Sequence, residues 1–300
     1  MNEEHAQLNR YSPTCAILLA AYNGELWIEE QLASILNQVD VQVAVFVSVD
    51  VSIDSTLEIV EQIAVKDSRV HLLPYGERFG GAGRNFYRLI KDVDVSAFDM
   101  VGFADQDDIW MPDKLSAAWK VLSQEGYAAY SSDVIAFWAD GRRSLIKKSY
   151  PQKRFDYFYE AAGPGCTYVF SASAFTLIKG FVSQNYEGCG KVALHDWLIY
   201  SYCREQKQRW FIDHEPRMLY RQHASNQVGT NDNWRAYIKR FNFVKQRWYR
   251  RQVSSIATLC SSSSADFITS RSFMIRNFYE LRRRPRDVVA LLLMVILGLF

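Results

Sequence analysis

Residues 14–50 read TCAILLAAYNGELWIEEQLASILNQVDVQVAVFVSVD, and this stretch decides the fold class. Thr14 to Ala21 is a continuous apolar run, too short for an ordinary helix and suited to a strand buried on both faces. Tyr22-Asn23-Gly24 marks a turn. Between Glu25 and Gln38, the apolar residues Leu26, Ile28, Leu32, Ile35 and Leu36 fall close to helical spacing. Residues 41–49, VQVAVFVSV, are rich in β-branched side chains and read as a second buried strand. Strand, helix, strand in this order is a βαβ unit with parallel strands.

Outward from this unit the alternation continues. Asp54-Ser55-Thr56 marks the N-cap region of a helix over 57–65. Val70 to Leu73 reads as a third strand, and the Gly-rich turn at 79–83 opens a helix over Asn85 to Lys91. Met100 to Ala104 is a fourth strand, ending at Asp105. Beyond it the pattern predicts a helix over 113–123, strands over Ala128 to Ala139 and Cys166 to Ser171, and helices over Ser173 to Phe181 and His195 to Glu205. No internal repeat is present, and Ser261 to Ser264 reads as a break between two C-terminal helices. The fold class is α/β, a mixed, mostly parallel sheet flanked by helices. Ligands bind such sheets at the carboxyl ends of the strands, where Tyr22-Asn23, Asp50 and Asp105 to Asp108 stand.

The chain has 300 residues, 49% hydrophobic and 23% charged, as expected of a folded protein with a sizeable core. Five scattered cysteines without a CxxC pair argue against a disulfide framework or a zinc knuckle and point to a reducing compartment. Residues 1–15 carry no pattern of a secretory signal. The net charge of +2 hides an asymmetry: from Trp234 onward 13 Lys and Arg stand against three acids, leaving 22 basic and 30 acidic residues before it. Trp234 to Arg251 contains seven basic residues and no acid, interleaved with aromatics at Tyr237, Phe241, Phe243, Trp248 and Tyr249. Four arginines between Leu281 and Arg286 precede an apolar run of 13 residues, Val288 to Phe300, too short to cross a bilayer unaided. This pattern predicts a segment lying on an anionic membrane surface, ahead of core packing and of nucleic-acid binding.

Asp105-Gln106-Asp107-Asp108 places three carboxylates within four residues. Extended backbone would turn Asp105 and Asp107 to one side, where hard oxygen ligands suit Mg²⁺ or Mn²⁺ bridging to substrate phosphates. The plainer reading is a solvated acidic turn with Asp113 capping the next helix. Like charges crowded at a sheet end are costly without a cation. Other phosphate and hydrolase templates fail: no GxxxxGK[ST], no GxSxG, no HExxH, and Gly81-Ala-Gly83-Arg-Asn-Phe86 lacks the third glycine of a dinucleotide fingerprint. Asp196, in His195-Asp196-Trp197, reads either as a helix N-cap or as a general base. Tyr220-Arg-Gln-His-Ala-Ser-Asn226 reads either as a loop bonded to the sheet or as a cationic partner for a leaving phosphate.

Read in order, these segments resemble the family 2 inverting glycosyltransferases of the GT-A fold, and most closely their bacterial rhamnosyltransferase branch. The matching pieces are Ala20 to Gly24 with Gln31 to Gln38; Ser48 to Thr56; Gly83-Arg-Asn-Phe86; Phe103 to Leu115; Gly165 to Phe170; His195-Asp-Trp197; and Tyr220 to Gly229. The resemblance covers residues 14–230. It implies a GT-A domain over 1–230 with a basic, aromatic extension over 231–300. It implies that Ala20, Tyr22, Asp50, Asn85, Asp105, Arg221 and His223 bind the nucleotide-sugar donor. It implies that Asp105 and Asp107 hold Mg²⁺ or Mn²⁺ on the diphosphate and that Asp196 is the catalytic base.

One departure stands out. Where the family commonly reads S-D-D-G-S-T-D, this chain reads Ser48-Val-Asp-Val-Ser-Ile-Asp54. Val51 would be strained at a position needing φ > 0, so the turn must differ. The expected activity is transfer of L-rhamnose from dTDP-rhamnose to a lipopolysaccharide core or a lipid-linked surface glycan. The enzyme would work on the cytoplasmic face of a bacterial inner membrane, without a nucleic-acid partner. The rival readings are the same fold using a UDP-hexose, and a non-catalytic membrane-bound partner of a glycan assembly complex.

Overall fold

The computed structural model of the chain describes residues 12–223, 247–261 and 265–300. Its first half follows the predicted alternation: β1 (Thr14–Ala21), α1 (Ile28–Leu36), β2 (Gln42–Val49), α2 (Thr56–Lys66), β3 (Val70–Leu72), α3 (Ala82–Asp92) and β4 (Met100–Ala104). β1 runs parallel between β2 and β4, pairing Ala16 with both Ala44 and Val101, and β3 extends the sheet beyond β2. From Cys15 onward β1 is buried throughout. Its side chains divide with period two. Ala16, Leu18 and Ala20 join one apolar cluster with Phe86 and Phe103; Cys15, Ile17 and Leu19 join another with Ile28, Leu32 and Val60.

The chain continues through β5 (Ile109–Trp110), α4 (Lys114–Gln124), β6 (Ala129–Ser132), β7 (Val134–Trp138), β8 (Arg143–Ile146), β9 (Val169–Ser171), α5 (Ala172–Gln184), α6 (Tyr186–Cys189), α7 (His195–Glu205), β10 (Trp210–Asp213) and β11 (Met218–Gln222). The large sheet has the order β10-β6-β9-β4-β1-β2-β3, with β9 antiparallel to both neighbours; a small sheet has the order β5-β11-β7-β8. Pairing of β5 with β11 sets Trp110 opposite Met218 and Ile109 opposite Leu219. That contact carries the segment after β11 back to the acidic cluster before β5.

Three local expectations are corrected. The strand over 128–139 is two strands, broken at the buried Asp133. Its carboxylate accepts the backbone N–H of Lys148 (2.5 Å) and Ser149 (2.8 Å) and the Ser149 hydroxyl (2.9 Å), so the chain leaves the large sheet there for the small one. Of the strand expected over 166–171, only Val169–Ser171 forms one. Gly165–Thr167 forms a 3₁₀ turn, in which the Cys166 carbonyl accepts from Lys114 Nζ (2.8 Å) rather than from a neighbouring strand. Asp113 precedes α4 without a capping bond, because its carboxylate pairs with Arg217.

Among the described residues four C-terminal helices follow: α8 (Trp248–Cys260), α9 (Ala265–Ile268), α10 (Arg271–Arg276) and α11 (Pro285–Ile296). Val253 and Ile256 of α8, Leu291 and Val295 of α11, and Phe300 bury themselves in the cluster that holds Leu18 and Phe103. Tyr249 stacks on Trp197 at 5.5 Å. The described end of the basic-aromatic stretch therefore packs on the core; residues 234–246 lie outside the described part. The expectation for the arginines after Leu281 is also corrected for two of them. Arg283 is 4% exposed and its Nη1 binds Asp156 Oδ2 at 3.0 Å, while Arg282 Nη1 donates to the Tyr159 carbonyl at 2.9 Å. They lock the C-terminal helices to the body instead of facing lipid. Among the described residues no helix is long and apolar enough to cross a membrane. All five cysteines are buried free thiols.

Asp156 also accepts from Tyr200 Oη (3.0 Å) and Arg204 Nη1 (3.2 Å). Truncating it leaves the buried Arg283 guanidinium with only the more distant Glu160 carboxylate, at 3.6 Å. Asp156→Ala is expected to cost about 3–5 kcal/mol in urea unfolding, and Asp156→Asn less, since the amide oxygen still accepts.

Candidate active site

Tyr22 leaves the end of β1 half-exposed, its backbone held at two points by one side chain. Gln106 Oε1 accepts the Tyr22 N–H (2.6 Å) and Gln106 Nε2 donates to the Tyr22 carbonyl (2.8 Å). The turn after β2 is built without the family glycine. Val51 avoids the left-handed region; the left-handed residue nearby is Asn23 (φ 47°) in the turn after β1, whose Oδ1 accepts the Ile53 N–H (2.9 Å). The Asp50 carboxylate accepts three backbone N–H groups, from Val51 (2.8 Å), Phe79 (3.0 Å) and Gly80 (2.9 Å). Asp50 thereby ties the Gly-rich turn to the carboxyl end of β2. Ala20 lies within the sheet, and Asn85 is buried on α3, where its Nδ2 donates to the Ser48 carbonyl (2.9 Å).

The acidic cluster divides in two. Oxygens of Asp105 and Asp108 and the Cys166 sulfur all lie within 4.8 Å of one another. Asp108 is fully buried, and its Oδ1 accepts the Arg221 N–H (3.1 Å). Apart from the nearby Cys166 thiol, Asp108 Oδ2 has no donor among the described residues. Burial, then the neighbouring carboxylates, pushes Asp105 and Asp108 upward. Burial also pushes the Cys166 thiol up, which keeps it protonated and a poor metal ligand. Lys114 sits beneath, buried, its Nζ 3.0 Å from the centre of the Trp110 ring and pushed down to about 7 by burial. Asp107 turns away from this group, towards the end of β11: its Oδ2 lies 2.6 Å from His223 Nε2. Arg221 Nε donates to the Asp107 carbonyl at 2.7 Å, and its guanidinium pairs with Glu30.

These residues fit a hard divalent cation. Crowded carboxylates whose ionised form is disfavoured, one with a buried oxygen lacking a firm donor, lose that penalty when a cation binds. Asp105 and Asp108, whose oxygens lie within 4.8 Å of each other, would hold it; Asp107, expected as a ligand and close enough to raise both, has its Oδ2 on His223 instead.

Asp196 is the second residue of α7, so the capping reading is corrected: the N-cap is Leu194, and Asp196 Oδ1 accepts the N–H of its own neighbour Trp197 (2.8 Å). Gly165 sets its distance to the acids. A Cβ there would lie 2.8 Å from His195 Nε2 and 3.1 Å from Asp196 Cβ, so the Gly165–Cys166 turn lies directly on α7. Asp196 and Asp105 thus face each other closely enough for Asp196 to raise Asp105. Burial lifts Asp196 to about 6, against the Trp197 N–H and the Lys148 ammonium, which stabilise its charge. His195 stacks on Phe86 at 3.8 Å, and burial pushes it down to about 3, so it stays neutral beside Asp196.

The fold therefore gathers Tyr22, Asp105, Asp107, Asp196, Arg221 and His223 at one end of the sheet, with Ala20, Asp50 and Asn85 supporting it from within. Sequence reading passed over Gln106, Asp108, Lys114 and Cys166 as individual groups. All four lie inside the matched segments Phe103 to Leu115 and Gly165 to Phe170, and that was the signal available. Trp27 and Glu30 carried no signal beyond helical spacing.

Comparison with known proteins agrees with this geometry. Residues 16–181 match the model of glycosyl transferase family 2. The dTDP-rhamnosyl transferase RfbG of Shigella flexneri is 44% identical over 291 residues, 94% of this chain and 100% of that protein. Among the solved structures that share the fold are two bound to nucleotide sugars. TarS of S. aureus (residues 1–349, with UDP-GlcNAc) superposes with a TM-score of 0.59 at 16% identity, over 89% of this chain and 73% of that one. The mannosyltransferase PcManGT of Pyrobaculum calidifontis (with GDP-Man and Mn²⁺) gives 0.51 at 17%, over 97% and 82%. Alternating strands and helices, an acid cluster at the sheet end and a relative aligned over its whole length lead to one assignment: the chain is a glycosyltransferase of family 2, of the rhamnosyltransferase-like kind.

Proposed function

We propose that this enzyme transfers L-rhamnose from dTDP-rhamnose to a hydroxyl of a surface glycan under construction, inverting the anomeric centre. The acceptor is a lipopolysaccharide core or a lipid-linked oligosaccharide. The observation that carries the reaction class is the half-buried Asp196 carboxylate facing the acidic cluster across the Gly165–Cys166 turn. The dTDP-rhamnose reading rests on the relative of that activity, 44% identical over its full length.

In this reading Asp196 accepts the proton of the acceptor hydroxyl as its oxygen bonds to the anomeric carbon. The carbon–oxygen bond to the diphosphate breaks on the opposite face, and the electron pair leaves with dTDP. Arg221 and His223 donate to the departing diphosphate. Asp105 and Asp108, with Asp107 beside them, would hold Mg²⁺ or Mn²⁺, which would supply charge neutralisation at the diphosphate. Lys114 offsets part of the carboxylate charge from below.

Residues 1–230 form the catalytic unit and 231–300 an extension that keeps the enzyme on the cytoplasmic side of the inner membrane. Support comes from the outer face of α11, where Val289, Leu293 and Ile296 are exposed near Arg286.

Calorimetry tests the donor and the metal together. Binding of dTDP-rhamnose is expected in the presence of Mn²⁺ and not in EDTA. Binding of a UDP-hexose in its place would overturn the donor assignment. Binding of no nucleotide sugar would overturn the site.

A further inference from the structure

We propose that Trp27 is a positioning residue that holds His223 in place over Asp107, on the diphosphate side of the donor site. The proposal rests on reading Asp105–Asp108 as the place where the donor diphosphate binds; it does not depend on the sugar or the base. The Trp27 indole stacks on the His223 imidazole with ring centres 4.1 Å apart and planes 22° from parallel. On its other side, the imidazole Nε2 meets Asp107 Oδ2 at 2.6 Å. The ring is thus fixed in plane by Trp27 and in direction by Asp107.

Among the described residues the one aromatic ring against Trp27 is the His223 imidazole. α1 buries Ile28, Gln31, Leu32 and Ile35 against the sheet. Trp27 stands just before that helix, half-buried, and its ring goes to His223 instead of into this row. Glu30, about one turn further, pairs with the Arg221 guanidinium, while Arg221 Nε stays on the Asp107 carbonyl (2.7 Å). The start of α1 therefore grips the Arg221–His223 segment at two places. His223 lies one residue beyond Gln222, the last residue of β11 paired in the sheet. An imidazole past the end of a strand has two side-chain torsions to lose on meeting a phosphate. A ring already stacked on a tryptophan has lost them beforehand, so the donor binds more tightly.

The test is calorimetry of dTDP and UDP, each with Mn²⁺, on the wild type, Trp27→Ala, Trp27→Phe, Trp27→Leu, His223→Ala and the double variant Trp27→Ala/His223→Ala. An aromatic pair of ordinary strength predicts that Trp27→Ala and Trp27→Leu weaken binding about three- to tenfold. Trp27→Phe, which keeps the stack, stays close to the wild type. The double variant binds no more weakly than His223→Ala alone, because both changes act through one imidazole. Thermal melting identifies any variant that fails to fold, and Trp27→Leu takes the place of Trp27→Ala in the cycle if the alanine variant does. Unchanged affinity in Trp27→Leu while His223→Ala weakens binding would overturn the proposal and leave the donor site standing. Additive losses in the double variant, or no loss in His223→Ala, would overturn it equally. A wild type that binds neither nucleotide would overturn the donor-site reading and this proposal with it.

Discussion

Replacing Asp196 by Asn is expected to lower kcat by about two to four orders of magnitude while leaving donor affinity close to that of the wild type. General-base catalysis supplies a factor of that size, and Asn keeps the volume and the bond to the Trp197 N–H. A loss in kcat without a change in donor Kd separates a proton acceptor from a donor contact. The pH profile supplies a second check. A base must be ionised to act, and burial has lifted Asp196 to about 6. Activity should therefore fall as pH drops through about 6 and level off above it. His195, held neutral down to about 3, adds no second limb in that range. A profile flat from pH 5 to 8, or full activity in Asp196→Asn, would remove Asp196 from the mechanism.

Asp105→Asn is expected to do two opposite things. Metal-dependent nucleotide binding should fall by more than the roughly 10- to 100-fold that loss of an outer-shell partner costs a metal site. Without metal, the same variant should melt at a higher temperature than the wild type at pH 8. The sign follows from linkage. The carboxyl of Asp105 is raised in the fold, by burial first and then by Asp107 and Asp196. Its ionised form therefore costs stability, a cost that begins as pH rises past the unfolded value and is complete above the folded one. Asn mimics the protonated acid and avoids it. Adding Mn²⁺ should raise the melting temperature of the wild type and leave Asp105→Asn unmoved. A variant that loses stability in the absence of metal would show that the acidic cluster is not a strained cation site.

Some features were legible in the residues alone because they are local. Strands buried on both faces are written as continuous apolar runs, and TCAILLAA and VQVAVFVSV say so without help from the rest of the chain. The sheet end carrying Asp105 was legible for the same reason. The break at Asp133 was not, because its cause is the backbone of residues 148 and 149. Nor was the inward turn of Arg282 and Arg283. Next to an apolar run they read as lipid-facing charge, but Asp156, Glu160 and the Tyr159 carbonyl, more than 120 residues earlier, claim them.

The site shows the same division. That carboxylates gather after β4 belongs to four consecutive residues. Which of them meet, and what they meet, belongs to the tertiary structure: Asp105 and Asp108 lie with Cys166, and Asp107 turns to His223, 116 residues away. Asp196 is an unremarkable helix-start acid in the sequence. The residues leave it open between a cap and a base; the fold removes the capping role, closes the Gly165 turn over it and raises its affinity for a proton. Periodicity and residue type fix an element through interactions a few positions apart, so the sequence by itself determined the alternation from β1 to β4 and the acid cluster at its end. Charge pairing and desolvation arise only when distant segments close on one another, so the tertiary structure alone decided the partners and proton affinities of the groups proposed to carry the reaction.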